Sequence, residues 1–295
     1  MEAVGERNIK NNLDLCKRDD NGPEIHKVNI IEGTGLDTFI HSLCTFTGGG
    51  GKSSLLYKTA EELFSAGFNV LVSTTTMIYH PDVKKRPYSR LVIADAGRIL
   101  ERLKKSISSP AAFGKGSITI AASEILRANK ELKLKGFSAD LMDSIYKLHI
   151  FDALLVEGDG AKHFSIKAPG DNEPVIPKET GTVFGVVGLD SLGALINSKT
   201  VFRLDQFMQV THSKENDMID RKVLLKLVDA ENGLFKNSPI HARKILVLNK
   251  GDTLESIDAA KETGRYILNK NSVASGVLIT CAKDADPVKH VIQKE

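Results

Sequence analysis

An apolar run that breaks into four consecutive glycines and then Lys-Ser, within Phe39–Ser53, narrows the available folds more than any other feature of the chain. Consecutive glycines support neither a helix nor a strand well, so the backbone is expected to turn sharply at Gly48–Gly51. Helical spacing follows: Leu56, Ala60 and Leu63–Phe64 recur on one face between Ser53 and Ala66, and Gly67 sits where a C-terminal cap belongs. A second apolar run, Phe68–Thr74, completes a strand–loop–helix–strand unit. Further strands are predicted at Arg90–Asp95, Ser117–Ala122, Phe151–Gly160, Thr182–Leu189, Lys244–Lys250 and Gly276–Thr280. Helices are predicted at Arg98–Lys105, Ser138–His149, around Asp217–Asp229 and at Ser256–Leu268. Unbroken apolar strands alternating with helices imply an α/β fold with a mainly parallel sheet flanked by helices. The expected layout is one domain over residues 37–295 with a helical insertion around 97–150. Residues 1–36 are polar and read as a mobile tail, with a short strand at Lys27–Ile31.

The glycine turn also carries the parts of a phosphate cradle. Such a cradle needs backbone N–H groups, a helix N-terminus, a lysine and a magnesium-binding hydroxyl. Gly48, Gly49, Gly50 and Gly51 supply the first, the helix opening at Lys52 the second, and Lys52 and Ser53 the others, with Ser54 beside them. A glycine hairpin is the competing reading, but it would be followed by a strand. The dinucleotide pattern G-x-G-x-x-G fits worse, because its third glycine would fall at Ser53. The long form G-x-x-x-x-G-K-[ST] fails too, since Phe46 stands where its first glycine belongs. The compact form G-x-x-G-K-[ST] fits, and resembles the loop of Mur-type ligases. The whole then reads as a P-loop NTPase-like three-layer sandwich.

A magnesium ion at such a loop takes hard oxygen ligands from the protein and the phosphates. Glu157 and Asp159 follow the apolar run Leu154–Val156, two residues apart and so on one side of an extended chain. The expected metal set is Ser53, Glu157, Asp159 and, from the Thr74–Thr76 run, Thr75. Lys52, Glu157 and Asp159 are the catalytic candidates. His80 has no metal-spaced partner and reads as structural. Asn249-Lys250-Gly251-Asp252 follows another apolar run and resembles the guanine-recognition motif of GTPases. An aspartate there can accept from both N1–H and the 2-amino group of guanine, donors that adenine lacks. Thr280-Cys281-Ala282-Lys283 after the next strand is similar to the S-A-K loop of those proteins, so Cys281, Ala282 and Lys283 join the base set. GTP is thereby favoured over ATP, with Mg2+ as cofactor.

The segment Lys167–Pro177 places Pro169, Pro174 and Pro177 around Lys167, Asp171 and Glu173. A stiff polar loop beside a phosphate site is expected to meet a substrate or partner through Lys167, Pro169, Glu173 and Pro174. These stretches, with Val186–Gly193 and Val201–Phe207, occur in the order expected of YqeC-type proteins. The resemblance runs from about Phe39 to Thr280 and is most specific at Glu157, Asp159–Ala161, Lys167–Pro169, Glu173–Pro174 and Ile176–Pro177. It departs mildly at Ser53, where threonine is usual, and at Gly158. The family is described as accessory proteins for selenium-dependent molybdenum hydroxylases. The resemblance therefore implies a role in maturing or inserting a selenium-containing labile cofactor, with a molybdenum hydroxylase or another cofactor-maturation protein as partner.

Composition sets the remaining expectations. A net charge of +3 is too small for a nucleic-acid protein, and no apolar run approaches the length of a membrane span. The N-terminal stretch has no apolar core, and the three cysteines give neither a disulfide framework nor metal spacing. A cytoplasmic location is expected, and proteins of this type often form homodimers. The favoured function is a magnesium-dependent NTP hydrolase, with Arg203 a candidate arginine finger. The alternatives are an ATP-dependent ligase or kinase that activates a small acceptor, and a nucleotide-sensing module without turnover.

Overall fold

The computed structural model describes residues 29–81, 88–107, 116–128 and 131–294. In chain order the helices are α1 (Ile30–Thr34), α2 (Lys52–Ser65), α3 (Ile99–Ile107), α4 (Ala139–Tyr146), α5 (Leu204–Thr211), α6 (Arg221–Asp229) and α7 (Leu254–Leu268). The first eight strands are β1 (Ser42–Gly48), β2 (Asn69–Thr74), β3 (Met77–Tyr79), β4 (Arg90–Ile93), β5 (Ser117–Ala122), β6 (Glu124–Ala128), β7 (Glu131–Lys135) and β8 (Ala153–Glu157). The others are β9 (Ile166–Lys167), β10 (Thr180–Gly188), β11 (Val201–Phe202), β12 (Arg243–Asn249), β13 (Gly276–Thr280) and β14 (Val288–Gln293).

Nine strands form one sheet in the order β14-β13-β12-β10-β1-β8-β2-β5-β4. Every pairing in it is parallel except β13 with β14. All residues of β8 and β13 are buried, as a sheet covered on both faces requires. Alternate residues feed opposite cores. Cys44, Phe46, Val72 and Leu155 pack under α2 with Leu56, Ala60 and Leu63. Leu43, Leu71 and Leu154 pack under α3 and α4, while Val183, Leu246 and Val277 pack with residues of α5, α6 and α7. Among the described residues, no helix is long and apolar enough to cross a membrane.

Phe46 explains the short loop. It is fully buried in β1 and stacks on Phe184 of β10 at 4.8 Å between ring centroids. The strand therefore continues past the point where a longer loop would begin. Gly48 and Gly50 then take φ values of +94° and +63°, and a Cβ at either would overlap β10 backbone at Val186 or Gly188. The sequence demands glycine here for close packing as well as for the turn.

Several expectations change. The strand expected at Lys27–Ile31 begins outside the described residues, and Ile30–Ile31 open α1 instead. Asn29 and Glu32 form a capping box there, a local signal that outweighs the β-branched Ile pair. The region 97–150 is not purely helical. Between α3 and α4 it carries β5 of the main sheet and the β6–β7 hairpin, which joins β3 in a three-stranded antiparallel sheet. That small sheet follows directly on β2 and β5, beyond their C-terminal ends. Strand β14 and helix α5 are likewise additions to the predicted elements.

Helix α1 is held to α2 by one carboxylate: Glu62 accepts from the N–H groups of Ile30 at 2.8 Å and Ile31 at 3.2 Å. Burial pushes the Glu62 carboxyl up to about 7, against those two donors. The folded chain thus keeps a proton that the unfolded chain releases near 4.5. This group's contribution to stability is complete below that pH and is lost as the pH rises through the folded value. Glu62→Gln mimics the protonated acid. It should melt like the wild type at pH 4 and, at pH 8, about 2–4 °C higher, the shift that roughly 1 kcal/mol gives a large domain.

Candidate functional site

Strand β1, the glycine turn and α2 put Lys52 at the C-terminal edge of the sheet, beside the strand at which the chain order reverses from one side of β1 to the other. Residues 51–53 open α2, and the first N–H groups of a helix have no acceptor within it. The N–H groups upstream of them are used internally. Gly48 donates to Asp159 at 3.1 Å, Gly49 to the Val186 carbonyl at 2.8 Å and Gly50 to the Phe164 carbonyl at 3.0 Å. The part of the loop left for an anion is therefore its C-terminal end with the helix start.

Lys52 is folded across the turn. Its Nζ donates to the Gly48 carbonyl at 2.6 Å and lies 3.2 Å from Asp159 Oδ1. Burial would lower its pKa, but the Asp159 and Glu157 carboxylates outweigh that and hold it above the usual lysine range. Burial likewise works against the Asp159 carboxylate. Lys52 and Lys167 reverse it and keep Asp159 below the usual carboxylate range.

The two acids separate in role. Glu157, at the end of β8 next to β1, accepts from Ser53 Oγ at 2.6 Å. Both residues line a cavity of about 540 Å3 with Gly51, Lys52 and Glu173. Asp159 is fully buried outside that lining, 2.7 Å from Lys167 Nζ. The hydroxyl expected at Thr75 is also elsewhere: it donates to the Val175 carbonyl at 2.7 Å, tying β2 to the proline loop, and Thr76 lines the cavity in its place.

Lys167 is a buried strut. Besides Asp159, it donates to the Gly160 carbonyl at 2.7 Å and to Glu173 at 3.2 Å. Glu173 then meets Arg203 at 2.8 Å. The result is an alternating line of charge, Lys52–Asp159–Lys167–Glu173–Arg203, running from the glycine turn to the start of α5. Arg203 is engaged there, and its guanidinium also lies over the Phe202 ring. Pro169 and Pro174 are buried, so they shape the loop from within. Glu173 is the member of the expected contact set that reaches the cavity.

On the other side of β1, the two expected base turns lie side by side at the ends of β12 and β13. Asn249 joins them to the glycine turn. Its Nδ2 donates to the Gly50 carbonyl at 2.7 Å, and its Oδ1 accepts from Thr280 Oγ1 at 2.9 Å and from the Ala282 N–H at 3.1 Å. Lys250 donates to Ser165 Oγ at 2.6 Å and Asp190 at 2.7 Å. Asp252 and Lys283 are exposed. The Asp252 carboxylate accepts from the Cys281 thiol at 2.8 Å, and burial followed by that bond pushes the thiol up to about 11.

Sequence reasoning passed over part of the cavity's lining. Tyr79 of β3, Lys133 of β7 and residues 162–164 line the cavity as well, beside His80 and Ala161. Tyr79 Oη and His163 Nε2 are 3.0 Å apart with their rings stacked, and Lys133 Nζ stands 4.7 Å from the centre of the Tyr79 ring. The Lys-Leu alternation of Glu131–Lys135 was the available signal for this strand.

A mainly parallel sheet with a glycine turn and Lys-Ser entering the next helix defines a three-layer α/β protein of P-loop NTPase-like architecture. A family profile described as YqeC protein matches residues 44–205. The uncharacterized protein YqeC of Escherichia coli (strain K12) is 30% identical over 221 residues, covering 75% of this chain and 80% of that one. The chain belongs to the YqeC family. The profile match contains the glycine turn, both acids, the proline loop and Arg203, and ends before the Asn249 and Cys281 turns.

Proposed function

We propose that this protein is a magnesium-dependent P-loop NTPase serving as an accessory factor in maturing or inserting a selenium-containing labile cofactor of molybdenum hydroxylases. The observation that carries the nucleotide part is the convergence of Lys52, the N-terminus of α2 and the Ser53–Glu157 pair on one cavity. The accessory role, and a molybdenum hydroxylase or cofactor-maturation protein as client, are what the resemblance to YqeC-type proteins implies.

An entering triphosphate would take Lys52 from the Gly48 carbonyl, while Asp159 behind it keeps the ammonium charged and in place. The first N–H groups of α2 would hold the same phosphates. Ser53 Oγ and Glu157 Oε2, two hard oxygens 2.6 Å apart, fit a magnesium ion, which normally takes one or two protein ligands beside phosphate and water. Magnesium supplies charge neutralisation on the phosphates. Positioning and charge are most of what phosphoryl transfer requires.

Asp252 favours GTP over ATP. Asp252→Asn should weaken GTP by about 10- to 100-fold, the value of a bidentate base contact, and leave ATP unchanged. Titration of both triphosphates with Mg2+ checks this, with phosphate release followed in parallel. ATP preference indifferent to the substitution would remove the guanine reading, and absence of turnover in any condition would remove the hydrolase. The space between the glycine turn and Tyr79 favours one second reading, a ligase or kinase whose acceptor lies there, with phosphate release only in the acceptor's presence.

A further inference from the structure

The lysines around the cavity fall into two groups. Lys52, Lys167 and Lys250 each meet a carboxylate. Lys133 and Lys162 have none among the described residues, and instead stand over aromatic faces, 4.7 Å from the Tyr79 centroid and 5.3 Å from that of Phe202. Both line the cavity. An ammonium set against a ring keeps its charge and most of its donors, so two of them in a concave site make a receptor for negative charge.

The groups around them are aligned. Tyr79 Oη and His163 Nε2 share a hydrogen bond at 3.0 Å, which fixes the imidazole against β3. Lys162 and His163 both hold left-handed backbone, at φ +45° and +69°, a conformation that side-chain-bearing residues adopt at a cost. The turn is maintained by Phe164, whose N–H donates to the Ala161 carbonyl at 2.9 Å and whose carbonyl accepts from Gly50. The same bonds thus join this wall to the glycine turn.

We propose that the wall formed by Lys133, Lys162, His163 and Tyr79 binds a small anion of the oxyanion or carboxylate class, a ligand separate from the nucleotide. Its position beside a terminal phosphate rests on the nucleotide reading; the binding itself does not. The test is calorimetric titration of inorganic phosphate and, separately, succinate into wild type, Lys133→Ala, Lys133→Arg and Lys52→Ala, with melting curves to confirm folding. Lys133→Ala should weaken the anion by about 10- to 100-fold, the loss of one charge-assisted hydrogen bond, with Lys133→Arg retaining most of it. In Lys52→Ala the Lys133-dependent binding should persist, with only the phosphate taken up at the cradle itself lost. If Lys133→Ala does not fold, Lys162→Ala on the facing segment takes its place. Phosphate binding favours an inorganic oxyanion and succinate binding a carboxylate; either supports the site. No binding of either anion, or binding that needs Lys52 and ignores Lys133, overturns it. Anion binding in a chain that takes up no nucleotide would overturn the NTPase reading alone.

Discussion

Asp159→Ala should lower stability by about 3–5 kcal/mol, the cost of breaking a buried ion pair from one side. The carboxylate is fully buried between Lys52 at 3.2 Å and Lys167 at 2.7 Å, and also accepts from the Gly48 N–H. Its removal leaves two ammonium groups facing an emptied space, with Lys167 keeping Glu173 and the Gly160 carbonyl. Denaturant unfolding would measure the loss. Lys167→Met should then cost less in the Asp159→Ala background than in the wild type, because the cation it removes has already lost that partner. Equal costs in both backgrounds would mean that the charge line is not energetically coupled.

The pH dependence of this cluster has a defined sign. The Asp159 carboxyl is held below its ordinary 3.8, so its contribution is present above that value and is lost as the pH falls through the folded pKa. Lys52 is held above its ordinary 10.5, so its contribution is present below that value and is lost as the pH rises through the folded pKa. Between those limits the wild-type cluster should give flat stability. Any slope near neutrality belongs to groups such as Glu62.

Lys52→Ala should remove nucleotide binding almost entirely, by roughly 100-fold or more, since a lysine on phosphate makes charge-assisted bonds of about 1.5–3 kcal/mol each. The fold should survive. Asp159 retains Lys167 and the Gly48 N–H, so the stability cost is about 1–3 kcal/mol for the groups left short of a partner. The contrast with Asp159→Ala is informative: one substitution acts chiefly on the ligand, the other chiefly on the protein. A Lys52→Ala chain that binds triphosphate like the wild type would sink the assignment of the glycine turn.

Much of the fold could be read directly. Long apolar runs such as Leu154–Val156 and Gly276–Thr280 have one use in an α/β chain, as strands with both faces covered, and they lie in the main sheet. The compact loop was legible because Phe46 stands where the long form needs its first glycine, and Phe46 is core. What escaped depends on distant partners. The β6–β7 hairpin is short and half polar, and β14 gains its identity by pairing with β13. Likewise, Glu157 and Asp159 look equivalent at a spacing of two. Lys167, brought in by the pairing of β9 with β11, decides that Asp159 is bound up in ion pairs while Glu157 reaches the cavity. Side-chain division of labour of this kind is set by tertiary packing, which local periodicity does not encode.

The most direct test of the central claim is equilibrium binding of fluorescent GTP and ATP analogues to the wild-type chain, with and without Mg2+. Saturable, Mg2+-strengthened binding that unlabelled triphosphate displaces and the free nucleoside does not would place the phosphates at the cradle as proposed. No binding of either triphosphate, or displacement by nucleoside as effective as by triphosphate, would contradict the account.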